Sequence, residues 1–408
     1  MTATAQPIKV LYCEALAPGP GGSRISLCNL IRGLEGSVRA YVVGGFPQEV
    51  LDRIPADTVV LPTPAAWPGQ RRFALGRVQK TASWWTYTLG LACWLARVVR
   101  KNDIDLVHAN NEVSSNAPAV LAAMLARRPC VAHLRGNERP RRETRWLFGH
   151  VSHYVAISDV VCRYYADKGV LDGRAVTVVY NGLDVSPLAE RAEQVARART
   201  GPPTVAMFSR MIPFKGHEYF IRAAAEAARS RPDVRFLIHG PIPEPHSPER
   251  PYYDKMAALV DELGLADRVR FPGPYEDVAE VMGATDVAVA CSPYNNFERI
   301  LFESMACGLP LVAFDCGGIR EVGVSERNVL LVPNKDPAAL AGGMLRLLAD
   351  QPLRDQLAHE GRRTARERFD YRTNAQQVLA IYRDLLTRGG RGLGPPARTE
   401  PASHSAAG

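Results

Sequence analysis

Two cations flank a turn in the second half of the chain. Arg210 and Lys215 lie in residues 209–216, which follow a short apolar run of the kind that forms a buried strand. A guanidinium offers a planar fork of donors to phosphate oxygens and an ammonium offers a point charge, so the two suit a diphosphate. The segment predicts a diphosphate-binding loop, and two unpartnered surface cations are the alternative.

Further along, a carboxylate and two glycines follow the next predicted strands. Glu303 belongs to a predicted helix that ends before Gly308, and such a carboxylate can accept hydrogen bonds from a ribose diol. Gly317 and Gly318 come after another strand, where bare backbone N–H groups can approach a phosphate. Together these residues predict a nucleotide site.

Near the start of the chain, Gly21 and Gly22 separate the first predicted strand from a helix. Glycines let the backbone approach a ligand, and the start of a helix offers free N–H groups to an anion. The spacing of the dinucleotide fingerprint G-x-G-x-x-G is absent, so a nicotinamide site is not predicted.

A histidine and an arginine share one predicted strand, residues 130–136. His133 and Arg135 are two residues apart, so both side chains point to the same face of the sheet. Either side chain can meet a ligand at this strand end, and a structural histidine is an equal alternative.

The D-x-D sequence formed by Asp103 and Asp105 precedes a strand of the first half, away from the predicted diphosphate loop. A motif counts only in its expected context, so a structural role is favoured and no metal is predicted. The chain contains neither G-x-S-x-G nor H-E-x-x-H, and hydrolase chemistry gains little support.

Short apolar runs alternate with helical patterns in both halves, which predicts the α/β class with doubly wound parallel sheets. We expect a first domain over residues 1–190, a second over 200–370 and a ligand-binding cleft between them. A terminal helix over 371–388 is expected to pack back on the first domain, and 389–408 has the composition of a disordered tail.

The chain has 408 residues, a net charge of +8 and 46% hydrophobic residues. A polar start, and no apolar run near the roughly 20 residues that span a bilayer, predict a cytoplasmic protein. The arginines of residues 139–145 lead into Trp146 and suit an anionic membrane surface, although a solvated loop is the favoured alternative. No nucleic-acid partner is expected.

With these motifs in order, the chain resembles glycosyltransferase family 4, whose members are retaining enzymes of the GT-B fold. The matching pieces are the Gly21–Gly22 loop, residues 105–110, 156–158 and 180–184, Arg210 with 215–216, 303–310, and 317–318 with Glu321. The resemblance implies two Rossmann-like domains facing each other across a cleft, the first binding the acceptor and the second the nucleotide-sugar donor.

The resemblance also implies roles for particular residues. Arg210 and Lys215 would bind the donor diphosphate, and Glu303 would match the second carboxylate of the family's E-x7-E pattern, which contacts the ribose. Gly21, Gly22 and the amides near Gly318, with Gly317, would border the phosphates and the sugar. A family histidine near the anomeric carbon would align with His133 or with Arg135.

One position departs from the family pattern. Asn295 stands where the first glutamate of E-x7-E is usual, the residue that touches the sugar ring. An amide can still hydrogen-bond sugar hydroxyls but supplies no negative charge. Glu298, three residues on, is the candidate to substitute for it.

The expected activity is that of a bacterial hexosyltransferase. It would transfer a sugar, with retention, from a nucleotide-diphosphate sugar to a hydroxyl of a small-molecule, glycan or lipid acceptor, without cofactor or metal. Two alternatives stay open: a non-catalytic sugar-nucleotide-binding partner protein, suggested by Asn295, and a GT-B sugar-nucleotide epimerase.

Overall fold

The computed structural model describes residues 6–14, 22–46, 48–62, 77–294 and 298–389. The chain divides into two compact units. The first comprises Met1–Gly182 together with Tyr371–Gly408, and the second is the continuous segment Leu183–Asp370. Each unit is a parallel sheet covered by helices.

Among the described residues, the sheet of the first unit has seven parallel strands in the order β3-β2-β1-β4-β5-β6-β7. Most are short apolar runs buried along their length, as parallel strands covered on both faces must be. The strands are β1 Ile8–Glu14, β2 Val38–Gly44, β3 Val59–Val60, β4 Leu106–Ala109, β5 Cys130–Leu134, β6 His153–Ala156 and β7 Val176–Val178.

The second unit repeats the design with six parallel strands in the order β10-β9-β8-β11-β12-β13. Its strands are β8 Thr204–Phe208, β9 Arg235–His239, β10 Val269–Gly273, β11 Val287–Ala290, β12 Leu311–Phe314 and β13 Leu330–Val332. These two doubly wound parallel sheets confirm the predicted fold class.

Helices connect the strands, and several begin at residues whose side chains cap them, such as Ser158, Asp277 and Asp336. The first unit contains α1 Gly22–Gly33, α2 Gln48–Leu51, α3 Arg77–Lys101, α4 Ala117–Ala126, α5 Asp159–Asp167 and α13 Tyr371–Gly389. The second contains α6 Val185–Ala198, α7 His217–Ser230, α8 Arg250–Glu262, α9 Val278–Gly283, α10 Arg299–Cys307, α11 Pro337–Ala349 and α12 Gln351–Arg368. In the part of the chain that the structure describes, 3-10 helices span Arg142–His150, Pro213–Lys215 and Gly317–Glu321.

Strand order reverses direction at one point in each sheet. It does so between β1 and β4 in the first unit and between β8 and β11 in the second. Ligands of open α/β sheets bind outside the carboxyl ends of the strands at this switch point. The residues after these four strands are therefore the ones placed to meet a ligand.

The first boundary between the compact units lies at Gly182–Leu183, whereas the sequence placed it at residues 190–200. The helix α6 belongs to the second unit instead of ending the first, because it packs on α9 and α10. The terminal helix α13 belongs to the first unit, where Val378, Leu379 and Tyr382 join one hydrophobic cluster with residues of β1 and α1.

None of the helices in the described ranges combines the length and the hydropathy that crossing a bilayer requires.

Candidate functional site

In the second unit, the segment with the two cations forms a tight turn between β8 and α7. Gly216 ends the turn with φ of 82°, and a Cβ atom there would lie 2.0 Å from the carbonyl oxygen of Cys291. Ser292 Oγ also donates a hydrogen bond to the carbonyl of Phe214 at 2.8 Å. The turn is therefore docked against the loop that follows β11, and only glycine fits at its end.

The two cations of this turn are in different states. The Arg210 side chain is exposed and has no hydrogen-bond or ion-pair partner within the described ranges. Lys215 Nζ lies 2.5 Å from Glu298 Oε1, and 23% of the lysine side chain and 9% of the glutamate side chain are exposed. One charge is thus open to an incoming anion and the other is already paired.

The predicted carboxylate is also paired. Glu303 lies on α10, is 4% exposed and accepts hydrogen bonds from Arg299 Nε at 2.9 Å and from Arg299 Nη2. Gly317 and Gly318 begin the 3-10 helix after β12, and the preceding Cys316 donates from Sγ to the carbonyl of Ser292 at 3.3 Å.

The strands β8, β11 and β12 are neighbours in the sheet, so the segments that follow them share one edge. The structure therefore brings the predicted residues of the second unit to the same sheet edge: Arg210, Lys215, Glu298, Glu303, Gly317 and Gly318. Asn295 lies outside the described residues.

In the first unit, Arg135 is the centre of a polar network beyond the carboxyl ends of β1, β4 and β5. Its Nε donates to Asn110 Oδ1 at 2.7 Å and its Nη1 to Asn181 Oδ1 at 2.5 Å. Asn110 and Asn111 in turn donate to the two carboxylate oxygens of the buried Glu14, each at 2.5 Å. Desolvation lowers the pKa of Arg135 to about 10, which leaves it charged at neutral pH.

His133 is 4% exposed and belongs to the same network. Its Nδ1 lies 3.3 Å from Arg135 Nη2 and 3.3 Å from His108 Nε2. Burial, together with the charge of Arg135, lowers the pKa of His133 well below its ordinary value and that of His108 to about 3. Both imidazoles are therefore neutral at pH 7.

His133 and Arg135 line a cavity of about 20 Å³ together with Asn181 and Asn374. That volume accommodates one water-sized group. The Nε2 atom of His133 is buried and has no hydrogen-bond partner within the described part of the chain. A neutral imidazole, a guanidinium and amides in one place are suited to hydroxyl groups, which both donate and accept. The structure brings His133 and Arg135 together instead of selecting one of them.

The other predicted positions have local roles or fall outside the description. Gly22 is the first residue of α1, and its carbonyl accepts from Ser26 Oγ at 2.9 Å, whereas Gly21 lies outside the described residues. Asp105 Oδ2 accepts from the backbone N–H of Lys9 at 2.9 Å, which fits a structural role for the D-x-D sequence. Within the described ranges, no group of three or more His, Cys, Asp or Glu side chains is arranged to hold a metal ion.

Sequence reasoning assigned no role to several residues of the network: Glu14, Asn110, Asn181, His108 and Tyr382. His108, Asn110 and Asn181 belong to the segments 105–110 and 180–184 that match the family, and a search for polar residues at strand ends would also have found Glu14, the last residue of β1. No sequence pattern indicated a role for Tyr382, because its hydroxyl contacts His108 from a position 274 residues away in the chain.

Comparison with known proteins identifies the family of the chain. The model of "Glycosyltransferase Family 4" matches residues 20–187, and that of "Glycosyl transferases group 1" matches residues 202–350. A D-inositol 3-phosphate glycosyltransferase of Salinispora arenicola is 30% identical over 73% of this chain and 67% of its own length. Another, from Corynebacterium urealyticum, is 32% identical over 56% of this chain and 54% of its own length. The chain thus spans roughly half to two thirds of the length of such curated relatives.

Solved structures agree on the fold. HepE of Anabaena in complex with UDP is similar with a TM-score of 0.73 and 22% identity, covering 92% of this chain and 100% of that one. A glycosyltransferase from Rickettsia africae gives a TM-score of 0.76 at 17% identity, covering 94% and 99%. The two doubly wound units have the GT-B architecture of these neighbours, and the chain belongs to glycosyltransferase family 4.

Proposed function

We propose that this protein is a retaining glycosyltransferase that moves a sugar from a nucleotide-diphosphate sugar to an acceptor hydroxyl. The observation that carries the proposal is the cation pair, Arg210 and Lys215, held by a rigid turn at the switch point of a family 4 sheet. Two kinds of similarity support it. The curated relatives are named glycosyltransferases, and the neighbour HepE was solved with UDP and with UDP-glucose.

The second unit would bind the donor. Arg210 and Lys215 would hold the diphosphate and stabilise the negative charge that develops on it as the bond to the sugar breaks. The amides of Gly317 and Gly318 would border the phosphates, and Glu303 would contact the ribose diol. Since two cations balance the leaving group, the proposed reaction uses neither a metal nor a cofactor.

Contacts to the transferred sugar would come from Asn295 or Glu298 and from the network of the first unit. His133 and Arg135 would hydrogen-bond sugar hydroxyls, and the acceptor would bind to the first unit. The bond between the anomeric carbon and the diphosphate oxygen breaks, the acceptor oxygen bonds to the same face of the carbon, and the proton of the acceptor hydroxyl passes to the leaving diphosphate. Positioning of both substrates would supply much of the rate gain.

The first unit also has a surface suited to an anionic membrane. Trp146 is 48% exposed and stacks on Trp85 of α3 with 6.4 Å between ring centroids, and Leu89, one turn further along α3, is 49% exposed. The exposed Arg142 and Arg145 precede Trp146 in the same 3-10 helix. Aromatic and apolar side chains beside arginines suit the interface of anionic lipids, so the proposed location is the cytoplasm with peripheral contact to the inner membrane face.

Sedimentation with vesicles tests this membrane contact. We expect binding to vesicles of anionic phospholipid but not of phosphatidylcholine, and loss of binding in Trp146→Ser. Val324→Ser changes an equally exposed residue of the second unit, 52% exposed, and serves as the control. No binding by the wild type to either vesicle would favour the solvated loop.

The central proposal is tested by thermal shift with UDP, GDP, ADP, dTDP and their common sugars, because a ligand of the folded state raises the melting temperature. We expect one nucleotide to stabilise the wild type but not Lys215→Ala. Incubation of the matching donor with D-inositol 3-phosphate, and then with other polyols, glycans and lipids, should yield a product of unchanged anomeric configuration by NMR. Conversion of the donor sugar without acceptor would identify an epimerase, and binding without turnover a partner protein.

A further inference from the structure

A line of buried side chains runs behind His133 in the first unit. His133 Nδ1 lies 3.3 Å from His108 Nε2, and His108 Nδ1 lies 2.6 Å from the hydroxyl of Tyr382 on α13. That hydroxyl is 3.4 Å from the hydroxyl of Tyr12 on β1. His108, Tyr382 and Tyr12 are completely buried.

Arg135 determines where the proton of His133 sits. A guanidinium only donates hydrogen bonds, so the contact between Arg135 Nη2 and His133 Nδ1 requires that Nδ1 accept. A neutral imidazole carries one proton and donates from one nitrogen only. The proton of His133 is therefore on Nε2, the atom that has no partner within the described ranges.

The same argument assigns the protons of His108 and Tyr382. Since His133 Nδ1 carries no proton, His108 Nε2 must carry one in order to hydrogen-bond to it. His108 Nδ1 is then bare and accepts from the Tyr382 hydroxyl. Tyr382 has one proton to donate, and we place it in the 2.6 Å contact with His108 in preference to the 3.4 Å contact with Tyr12, where Tyr382 could otherwise be the donor. This assignment leaves Arg135 facing a bare Nδ1 of His133, whereas the opposite direction, with His133 donating to His108, would set a protonated Nδ1 against Arg135.

We propose that Tyr382 is a positioning residue that fixes the tautomer of His108 and, through it, holds His133 with its proton on Nε2, as a hydrogen-bond donor. The donor character matters for a polyhydroxylated ligand, because Nε2–H then selects a ligand oxygen with a free lone pair. The use of that donor on a sugar hydroxyl rests on the proposed function. The tautomer itself does not.

The first experiment measures the tautomers in the ligand-free, full-length protein labelled with ¹⁵N-histidine. Long-range ¹H–¹⁵N spectra distinguish protonated from bare ring nitrogens, and His108→Asn and His133→Asn each remove one set of signals and so assign them. We expect both residues to carry the proton on Nε2. A proton on Nδ1 of His133 in the wild type would overturn the proposal, and this outcome is independent of whether the enzyme transfers sugar.

The second experiment isolates Tyr382. In Tyr382→Phe, His108 loses its donor, so we expect a second set of His108 signals with the proton on Nδ1 and altered His133 signals. Tyr12→Phe removes a hydroxyl one step further from His108 and should leave both tautomers unchanged. Tautomers in Tyr382→Phe identical to those of the wild type would overturn the role of Tyr382. If a variant fails to fold, the wild-type spectrum still tests the assigned tautomers.

Kinetics provide a further readout once a donor and acceptor are known. We expect Tyr382→Phe to lower kcat by about tenfold with a smaller change in KM, on the scale at which groups behind a functional histidine act. Tyr12→Phe should stay close to the wild type. Equal effects of both substitutions would indicate a packing role and contradict the proposal.

Discussion

Lys215 Nζ lies 2.5 Å from Glu298 Oε1, in the loop where the family pattern has a glutamate at the position of Asn295. The lysine proposed to hold the diphosphate is therefore neutralised before any donor arrives. A phosphate must compete with Glu298 for the same ammonium, so part of its Coulomb attraction to Lys215 is offset by the loss of the existing pair.

Removal of that competing charge should tighten nucleotide binding. In Glu298→Gln we expect the Kd for UDP to fall by about two- to fivefold, because the ion pair that UDP must replace is worth up to about 1 kcal/mol. Isothermal titration calorimetry measures the change. Glu218→Gln, which removes a half-buried carboxylate bonded to Arg222 in the same unit, is the matched control. Weaker UDP binding in Glu298→Gln would mean that the carboxylate contacts the ligand instead of competing with it.

The proposed ribose contact of Glu303 makes a prediction about the 2′-hydroxyl. The wild type should bind UDP more tightly than 2′-deoxy-UDP, by roughly tenfold, because a hydrogen bond to a charged group is worth about 1.5–3 kcal/mol. Glu303→Gln should lose most of this preference while keeping the shape of the buried side chain. An unchanged preference in the variant, in the same titrations, would place the ribose elsewhere.

The turn that carries the cations depends on Gly216. Gly216→Ala puts a Cβ 2.0 Å from a carbonyl oxygen at φ of 82°, whereas Gly264→Ala has φ of 66° and nothing within 4 Å. An alanine in the left-handed backbone conformation destabilises both variants by about 1–2 kcal/mol. Only Gly216→Ala also forces the neighbouring backbone carbonyl to move. We expect urea denaturation to show a larger loss for Gly216→Ala, by at least about 1 kcal/mol. Equal losses would contradict the close packing of the turn.

Buried histidines predict a loss of stability in acid. Burial lowers the pKa of His108 and of His217 to about 3 and that of His133 well below its ordinary value. Unfolded histidines titrate near 6.5, so between about pH 6.5 and pH 4.5 the unfolded chain binds more protons. The free energy of unfolding should therefore fall as the pH falls, by up to about 1.4 kcal/mol per pH unit for each such group. Urea titrations at pH 7, 6 and 5 measure the slope.

Glu112 changes the free energy of unfolding in the opposite direction as the pH falls, and it supplies a control. Desolvation and a hydrogen bond with Glu138 raise its pKa to about 8, so between about pH 8 and pH 4.5 the folded protein holds a proton that the unfolded chain has lost. Its contribution to stability is present in acid and is lost as the pH rises through 8. Glu112→Gln should therefore make the acid loss between pH 6 and pH 5 steeper. A shallower slope would contradict the raised pKa.

Both sheets were predictable because parallel strands buried on two faces appear as short apolar runs between turns. The turn of Arg210 and Lys215 was predictable for a similar local reason, since residue types and position after one strand were enough. The boundary between the units was not predictable from local patterns. The helix α6 has many exposed charged residues and looks like a linker, yet the buried Val185, Ala189 and Ala192 mark the face that packs on its neighbours.

The pairing states of the site residues also could not be predicted. Lys215 with Glu298 and Glu303 with Arg299 are partnerships between side chains that the sequence placed in a site one by one. The network around Arg135 depends on strand order, because Glu14, Asn110 and Arg135 come from β1 and from the segments after β4 and β5. Local patterns contain no information on which strands become neighbours.

The helices α1 and α13 pack in one hydrophobic cluster although the whole of Leu183–Asp370 lies between them in the chain. On a ribosome, the second unit therefore emerges complete while the first still lacks its last helix. Until Val378, Leu379 and Tyr382 leave the exit tunnel, the apolar face of the first sheet that they cover stays open to solvent and to chaperones. The first unit is thus begun before the second and completed after it, and His108 gains its tyrosine partner only once α13 has been synthesised.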